Sequence, residues 1–457
     1  MTPAKPRRFV TLGLWLILAA AATTARAQTL PAPSPTPQGT LTRPTVLTYP
    51  SQPGAQPATD TAQPTYPTSI AGAQGLLVET VDGKVLYSQL ADQGFNPASA
   101  VKLATALDAL HTFGPQHRFI TGVWTNGTLD RTTGTLTGDL IISGRDPSFR
   151  YQHAVMLARE LNRMGVRTVT GDLVVAFGFT MNFDWSSQHS ASLLYDTLDA
   201  ARRPAVAARD WGEERAALGD AAGLRAVPGV TVAGRPRVQS VPGDARLLLV
   251  QRSSKLTDIL KVLLCYSNNF MAERIGDTVG GPQGVQRFVT QQLGLRPGEV
   301  MLSSTSGLGV NRVTPRAMMK IYRALVDELA KSQLTPSDIL PVAGVDPGTL
   351  KKRYTTDAER GSVIGKTGTL VRTDGGASAL VGQMRTRGGT LYFVIFNQRG
   401  SVWRFRQNQD SLVSQIQSSR GGPAPFNYRP LTLAMRLADT EMDRAQPAAK
   451  DEYEPDN

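Results

Sequence analysis

Ser99 and Lys102 stand three residues apart, a spacing that places both side chains on one face of a helix. A serine hydroxyl is a poor nucleophile until something takes its proton, and a desolvated lysine with a depressed pKa can take it. The run Asn96-Pro97-Ala98-Ser99-Ala100-Val101-Lys102-Leu103 predicts how the pair is held. Asn96 reads as an N-cap, Pro97 as the first helical residue, and Ser99 as part of a first turn whose free N–H groups favour developing negative charge. S-x-x-K arises by chance about once in a chain of this size, so it needs company.

Two further runs supply that company. Ser267-Asn268-Asn269 interrupts an otherwise apolar helical stretch and reads as a loop pointing into a cleft, where Ser267 could relay a proton to a leaving amine and Asn269 could hold a substrate amide. A plain helix-capping turn is the simpler reading of the same three residues. Lys366-Thr367-Gly368-Thr369 lies on a strand-like segment, and an edge strand can pair with an extended peptide. Gly368 would let that peptide's backbone come close. Lys366 would supply charge for a terminal carboxylate and depress the pKa of Lys102, and Thr367 would hydrogen-bond the carboxylate. The N–H groups of Ser99 and Thr369 are the candidate oxyanion donors.

The elements that must position these residues are legible in outline. Gly75–Val81 and Val85–Gln89 flank Asp82-Gly83, a hairpin signal. Helices are expected over Leu103–Phe113, Gln152–Met164, Lys255–Asp277 (broken at Ser267), Arg316–Lys331 and Arg404–Ser418. Strands are expected over Gly138–Ser143, Gly171–Ala176, Val363–Leu370, Ala377–Met384 and Thr390–Asn397, the last two joined at Gly388-Gly389. Helices between early and late strands of one antiparallel sheet predict an α/β (α+β) fold.

The chain has 457 residues, 41% of them hydrophobic, enough for two packed units and tails. Its formal charge is +12; four basic residues and no acid lie in 1–27, so +8 belongs to the remainder. That surplus suits an anionic envelope, and no basic run interleaved with aromatics points to nucleic acid. The single cysteine, Cys265, forbids an internal disulfide and reads as a core thiol. His111, His117, His153 and His189 lack metal-ligand spacing, so no metal is expected. At the N-terminus, Lys5, Arg7 and Arg8 precede the apolar run Phe9–Ala22 and the small-x-small site Ala25-Arg26-Ala27. This is a signal-peptide pattern, cleaved or kept as a short anchor, which places the protein in the periplasm or elsewhere outside the cytoplasmic membrane.

S-x-x-K, S-D-N and K-T-G are the known signature of serine β-lactamases and penicillin-binding proteins, and this chain carries their counterparts in the same order. The sequence resembles the D-alanyl-D-alanine carboxypeptidase/endopeptidase family, the class C low-molecular-mass penicillin-binding proteins. The resemblance runs from about Gly75 to Asn397 and includes "NPASAVKLATALDAL", "GDLIISGRDPSF", "LLCYSNNFMAERIGD", "STSGLGVNRVTP", "GTLKKRY" and "GKTGTLVRTDGGASALVGQM". It implies a transpeptidase-like domain, an antiparallel sheet with helices on both sides, interrupted by a smaller inserted subdomain. The expected organisation is a signal peptide over 1–27, a Pro/Thr/Gln-rich disordered linker over 28–69, a discontinuous catalytic domain over 70–120 and 250–420, the insertion over 121–249, and a largely disordered tail over 421–457.

The resemblance implies Ser99 as the acylated nucleophile, Lys102 as its base, Ser267 and Asn269 as relay and clamp, and Lys366 and Thr367 on the substrate carboxylate. Asp146, in the Gly-Arg-Asp-Pro run, matches a position near the pocket for the substrate's amino-acid side chain. The implied substrates are peptidoglycan stem peptides and cross-links, with β-lactams as covalent inhibitors and no cofactor. Carboxypeptidase and endopeptidase action both stay open. A serine β-lactamase or esterase, and a non-catalytic envelope binding protein of the same fold, are the alternatives. Three departures concern the shape of the cleft. The interval from Ser99 to Ser267 is shorter than in better-known members. Ser304-Thr305-Ser306-Gly307-Leu308-Gly309 replaces Asp-Gly-Ser-Gly-Leu-Ser. Phe177-Gly178-Phe179 stands where an acidic residue is usual.

Overall fold

The computed structural model describes residues 72–430 and 432–445. The expected signal peptide, the linker and the acidic terminus lie outside them. A five-stranded antiparallel sheet runs in the order Val363–Leu370, Ala377–Thr386, Gly389–Gln398, Ala73–Thr80, Val85–Gln89. Side chains alternate faces along a strand, and here both faces are buried. Leu77, Val381, Val394 and Phe396 join one core with the helices Lys102–Phe113, Leu256–Tyr266 and Pro315–Ala330. Leu76, Val78, Leu380, Phe393 and Ile395 face the other way, onto Leu412, Val413 and Ile416 of the helix Val402–Ser419. Each such aliphatic or aromatic side chain contributes about 1.5–3 kcal/mol by leaving water. The sheet is thus sandwiched, and the reading of helices on both its sides holds.

Pro315–Ala330 shows how locally the helices are encoded. Thr314 accepts from the Ala317 N–H as N-cap, Pro315 follows, and Met318, Ile321, Tyr322, Leu325 and Leu329 recur at helical spacing on the buried face. A second sheet, with a core of its own, runs in the order Pro236–Val238, Leu173–Val175, Leu140–Gly144, Ile120–Thr125, Arg246–Arg252, Glu441–Arg444. Its first two pairings are parallel and the rest antiparallel.

The last of these strands corrects one expectation. The composition from Gly421 onward points to a largely disordered tail, yet this stretch carries a short helix, Leu433–Leu437, and a strand, Glu441–Arg444, that pairs with Leu249–Arg252. The reason is tertiary. Arg118 meets both Asp439 and Glu441, and Arg252 meets Asp443, so a polar segment finds its partners only in the folded chain.

Candidate active site

Ser99 does not sit in the first turn of an α-helix, as expected, but in a 3-10 turn, Ala98–Val101, that precedes it; Lys102 opens the α-helix. Asn96 sits one residue before the cap position of this turn, which Pro97 occupies. Its Oδ1 accepts from the Ala98 N–H at 3.0 Å, and its Nδ2 donates to the Gly309 carbonyl and to Asp374, which Arg312 grips through both guanidinium nitrogens. Ala98, fully buried, is held at φ +46°, a region that disfavours a residue with a Cβ. Two glycines close on this turn. A Cβ on Gly307 would lie 1.9 Å from the Ala98 carbonyl oxygen, and one on Gly368 would lie 2.5 Å from that of Pro97. Gly368 thus allows a close approach to the turn that carries Ser99.

Lys102 is fully buried, and its ammonium has three acceptors: Ser99 Oγ at 2.9 Å, Asn269 Oδ1 at 2.8 Å and the Ser306 carbonyl at 2.6 Å. The last two cannot donate. In the neutral amine they take its two N–H groups, so the lone pair is left pointing at the Ser99 hydroxyl. Burial lowers the Lys102 pKa to about 7, against the opposing pull of the Glu273 carboxylate. Glu273 in turn accepts from the Ser306 N–H at 3.0 Å and the Thr305 hydroxyl at 2.7 Å; burial raises its pKa, and these hydrogen bonds more than offset it.

The polar break at Ser267 is a corner between two helices, and both readings of it hold in part. Ser267 ends Leu256–Tyr266 in a left-handed conformation, and Asn268 caps Asn269–Thr278 by accepting from the Met271 N–H. Ser267 and Asn269 are left facing the cleft. Lys366, fully buried, donates to Ser267 Oγ at 2.8 Å and to the Thr367 carbonyl at 2.7 Å. Burial, reinforced by Lys102, pushes its pKa well below the ordinary value.

Val363–Leu370 is an edge strand whose first half is covered. Ile364 bridges to Val342, and the Gly365 N–H reaches the Pro341 carbonyl. Since N–H groups alternate along a strand, those of Thr367 and Thr369 point to the same open side. The cleft there has a volume of about 550 Å³. Ser99, Ser267, Asn269, Thr367 and Thr369 line it together with Thr349, Lys352 and Arg353 on one wall and Trp403, Arg406 and Asp410 on another.

The model of the D-Ala-D-Ala carboxypeptidase 3 (S13) family matches residues 58–197 and 221–417. The chain belongs to this family. Members are peptidases, hence hydrolases, of the serine-type, penicillin-binding class. A D-alanyl-D-alanine carboxypeptidase of an Actinomadura species is 28% identical, the match covering 78% of this chain and 82% of that one. A carboxypeptidase of Mycobacterium tuberculosis is also 28% identical, over 75% of this chain and 79% of its own. Among solved structures, a penicillin G-acylated predatory endopeptidase of Bdellovibrio bacteriovorus, in complex with an immunity protein, superposes with a TM-score of 0.69 at 22% identity, covering 81% of this chain and 99% of its own. Penicillin-binding protein 4 of Haemophilus influenzae, with a bound β-lactam, gives 0.55 at 22% identity, over 76% and 97%. Both likenesses show the fold.

The structure of this carboxypeptidase-family chain brings together Ser99, Lys102, Ser267, Asn269, Lys366, Thr367, Gly368 and Thr369. Asp146 is buried with Ser148, whose N–H and hydroxyl both donate to Asp146 Oδ1, while its Oδ2 has no hydrogen-bond partner among the described residues; it is not among the residues lining the cleft. Burial raises its pKa to about 6, and the Ser148 hydrogen bonds oppose that. Sequence reasoning missed Glu273, Ser306 and Arg406. The first two lie inside the family-like runs, but their role depends on contacts across more than thirty residues. Among the described residues, no group of three His, Cys, Asp or Glu side chains is placed to hold a metal ion, and no helix is long and apolar enough to cross a membrane.

Proposed function

We propose that the chain is a serine-type D-Ala-D-Ala carboxypeptidase or endopeptidase that cleaves peptidoglycan stem peptides through an acyl-enzyme on Ser99. The observation that carries this is the buried Lys102 amine, 2.9 Å from Ser99 Oγ with its other two contacts taken by carbonyl oxygens. Lys102 takes the hydroxyl proton as Ser99 attacks the carbonyl between two D-alanines, or that of a D-amino-acid cross-link. The oxyanion forms against the N–H groups of Ser99 and Thr369. The amine leaves with a proton delivered by Ser267, itself 2.8 Å from Lys366, or by Lys102. Water then attacks the ester and frees the shortened peptide. Thr367 and Thr369 present hydroxyls to the substrate carboxylate, and Asn269 clamps an amide. A β-lactam acylates Ser99 in the same way, but its amine stays tethered to the acyl group and blocks the entry of water.

The protein works outside the cytoplasmic membrane. Export is supported by Lys5, Arg7 and Arg8, the apolar run Phe9–Ala22 and the Ala25-Arg26-Ala27 site. An inserted subdomain over 121–249 is part of this proposal; the second sheet and its separate core support it, although the strands Arg246–Arg252 and Glu441–Arg444 carry that sheet beyond these bounds. Mass spectrometry after benzylpenicillin treatment tests the assignment. One penicilloyl group on the Ser99 peptide is expected, and none in Ser99→Ala; label elsewhere, or none in the wild type, refutes it. Product analysis on cross-linked muropeptides then separates the two peptidase activities.

A further inference from the structure

We propose that the cavity at the carboxyl ends of the second sheet's parallel strands is a second binding site, which takes an N-acetylated amino sugar of the glycan strand. This site presupposes the peptidase reading above and extends the recognised substrate from the stem peptide to the stem peptide joined to its sugar.

Leu140–Gly144, Leu173–Val175 and Pro236–Val238 run parallel, with the helices Tyr151–Arg163 and Ser187–Leu198 in the connections between them. In open sheets of this kind ligands settle in the crevice outside the carboxyl ends of the strands. A cavity of about 470 Å³ opens there. Gly144 and Arg145 line it from one strand end, Ala176 and Phe177 from the next, and Ser240 and Val241 from the third. The rest of its wall comes from two helices of the active site. Phe113 ends Lys102–Phe113, and Asp277 and Thr278 end Asn269–Thr278.

The wall chemistry suits a sugar. His117 stacks on Phe113 with ring centroids 4.7 Å apart and meets Phe119 edge-on at 4.9 Å, and all three rings line the cavity. Burial holds the His117 pKa below its ordinary value, which favours the neutral ring. Phe177, in the run that stands where an acidic residue is usual, is 64% exposed at the same cavity. A pyranose is apolar on its C–H faces and polar at its rim, so it lays a face on an aromatic ring and turns its hydroxyl and acetamido groups to polar neighbours. Those neighbours carry both signs. Arg145 has no hydrogen-bond or ion-pair partner among the described residues, and Asp277 has Arg274 alone, at 3.2 Å. Arg118, the remaining charge, is already held by Asp439 and Glu441. A ligand charged in either sense would be opposed by Arg145 or by Asp277, whereas a neutral ring with donors and acceptors is opposed by neither.

Reach ties the cavity to the cleft. Asn269 lines the cleft and Asp277 lines the cavity, eight residues apart on one helix and hence about 12 Å along its axis. On the acyl side of the scissile bond a stem peptide contributes about four residues, roughly 13 Å when extended. Between the two sites Trp185, 57% exposed, packs edge-on against Phe270 at 4.9 Å, with the Arg274 guanidinium 5.3 Å from its ring centre. A peptide that acylates Ser99 and runs along this helix sets its sugar at the cavity.

The test compares kcat/KM for D-Ala release from a disaccharide-linked pentapeptide and from the same pentapeptide without sugar, on the full exported chain. The wild type is expected to favour the sugar-linked substrate by about 3- to 10-fold, mostly through KM. Phe177→Ala should remove that preference and change the sugar-free rate by less than about twofold. Phe177→Trp, which keeps a ring, should retain it, and Arg145→Gln should lose part of it. Calorimetry with an N-acetylglucosamine tetramer reads the site directly. It should bind the penicillin-acylated wild type, whose cleft is filled, and bind acylated Phe177→Ala about threefold or more weakly. No preference in the wild type, an equal loss on both substrates in Phe177→Ala, no binding of the tetramer, or its displacement by the sugar-free pentapeptide from the acylated protein overturns the inference. A wild type that neither labels with penicillin nor releases D-Ala overturns the peptidase reading instead, and tetramer binding that Phe177→Ala weakens then upholds the site without it.

Discussion

With Lys102 as the proposed base, brought down to about 7 by burial, acylation should switch on with rising pH around neutrality. At its ordinary pKa of 10.5 a lysine at pH 7.4 is neutral in about one molecule in a thousand; at about 7 it is neutral in most, so burial raises the competent fraction by roughly three orders of magnitude. The sign follows from the role. Only the unprotonated amine can take the Ser99 proton, so the rate is full above the folded-state pKa and falls about tenfold per unit below it. The Glu273 carboxylate holds that pKa up, so Glu273→Gln, which keeps an acceptor for the Ser306 N–H, should carry the acidic limb to lower pH. Loosening of the Ser306 carbonyl should lower the plateau of the same variant. The assay is the initial rate of labelling by fluorescent penicillin from pH 5 to 9 at constant ionic strength. A flat profile, a midpoint near 10, or an acidic limb that moves upward in Glu273→Gln would refute the general-base assignment.

Other perturbations follow from the packing. Gly368→Ala sets a Cβ 2.5 Å from the Pro97 carbonyl oxygen and 3.1 Å from Ala98 Cβ. It should cost about 1–3 kcal/mol, read by urea unfolding, and slow acylation by displacing the nucleophile's turn. Lys261 and Asp346 form a fully buried ion pair at 2.6 Å. Lys261→Met or Asp346→Asn should each cost about 3–5 kcal/mol. The double replacement Lys261→Met with Asp346→Leu should recover only part of that. Asp346 also accepts from the Val342 N–H and the Tyr428 hydroxyl, which would lose their partner. Full recovery in urea unfolding would show those two contacts to be of no weight.

What the sequence made legible is what short-range chemistry encodes. The Asp82-Gly83 turn, the helix over Arg316–Lys331 and the Gly388-Gly389 turn between the late strands are each written in short stretches, and the three polar runs are ordered along the chain as their fold requires. What escaped depends on distant partners. The positive φ of Ala98 goes with an Asn96 contact two residues away and with Gly307 and Gly368 closing on its turn from distant parts of the chain. Glu273 reads as one more acidic residue on a helix until Thr305 and Ser306 are folded against it. Asp146 gives no local sign that it is buried with Ser148 on its Oδ1 and no partner among the described residues on its Oδ2. Glu441–Arg444 has no apolar alternation and becomes a strand only because Arg246–Arg252 offers it an edge.

The half-covered edge of Val363–Leu370 also bears on solubility. A bare sheet margin invites a neighbouring molecule to add its own strand, and aggregation begins there. An enzyme that admits a peptide along such a margin cannot wall all of it off. Here Pro341 and Val342 occupy the leading part, and only the outward amides of Thr367 and Thr369 remain open before the strand ends at Leu370. Two free amides suffice to seat the end of a small peptide, and they are too few to template a second copy of the sheet.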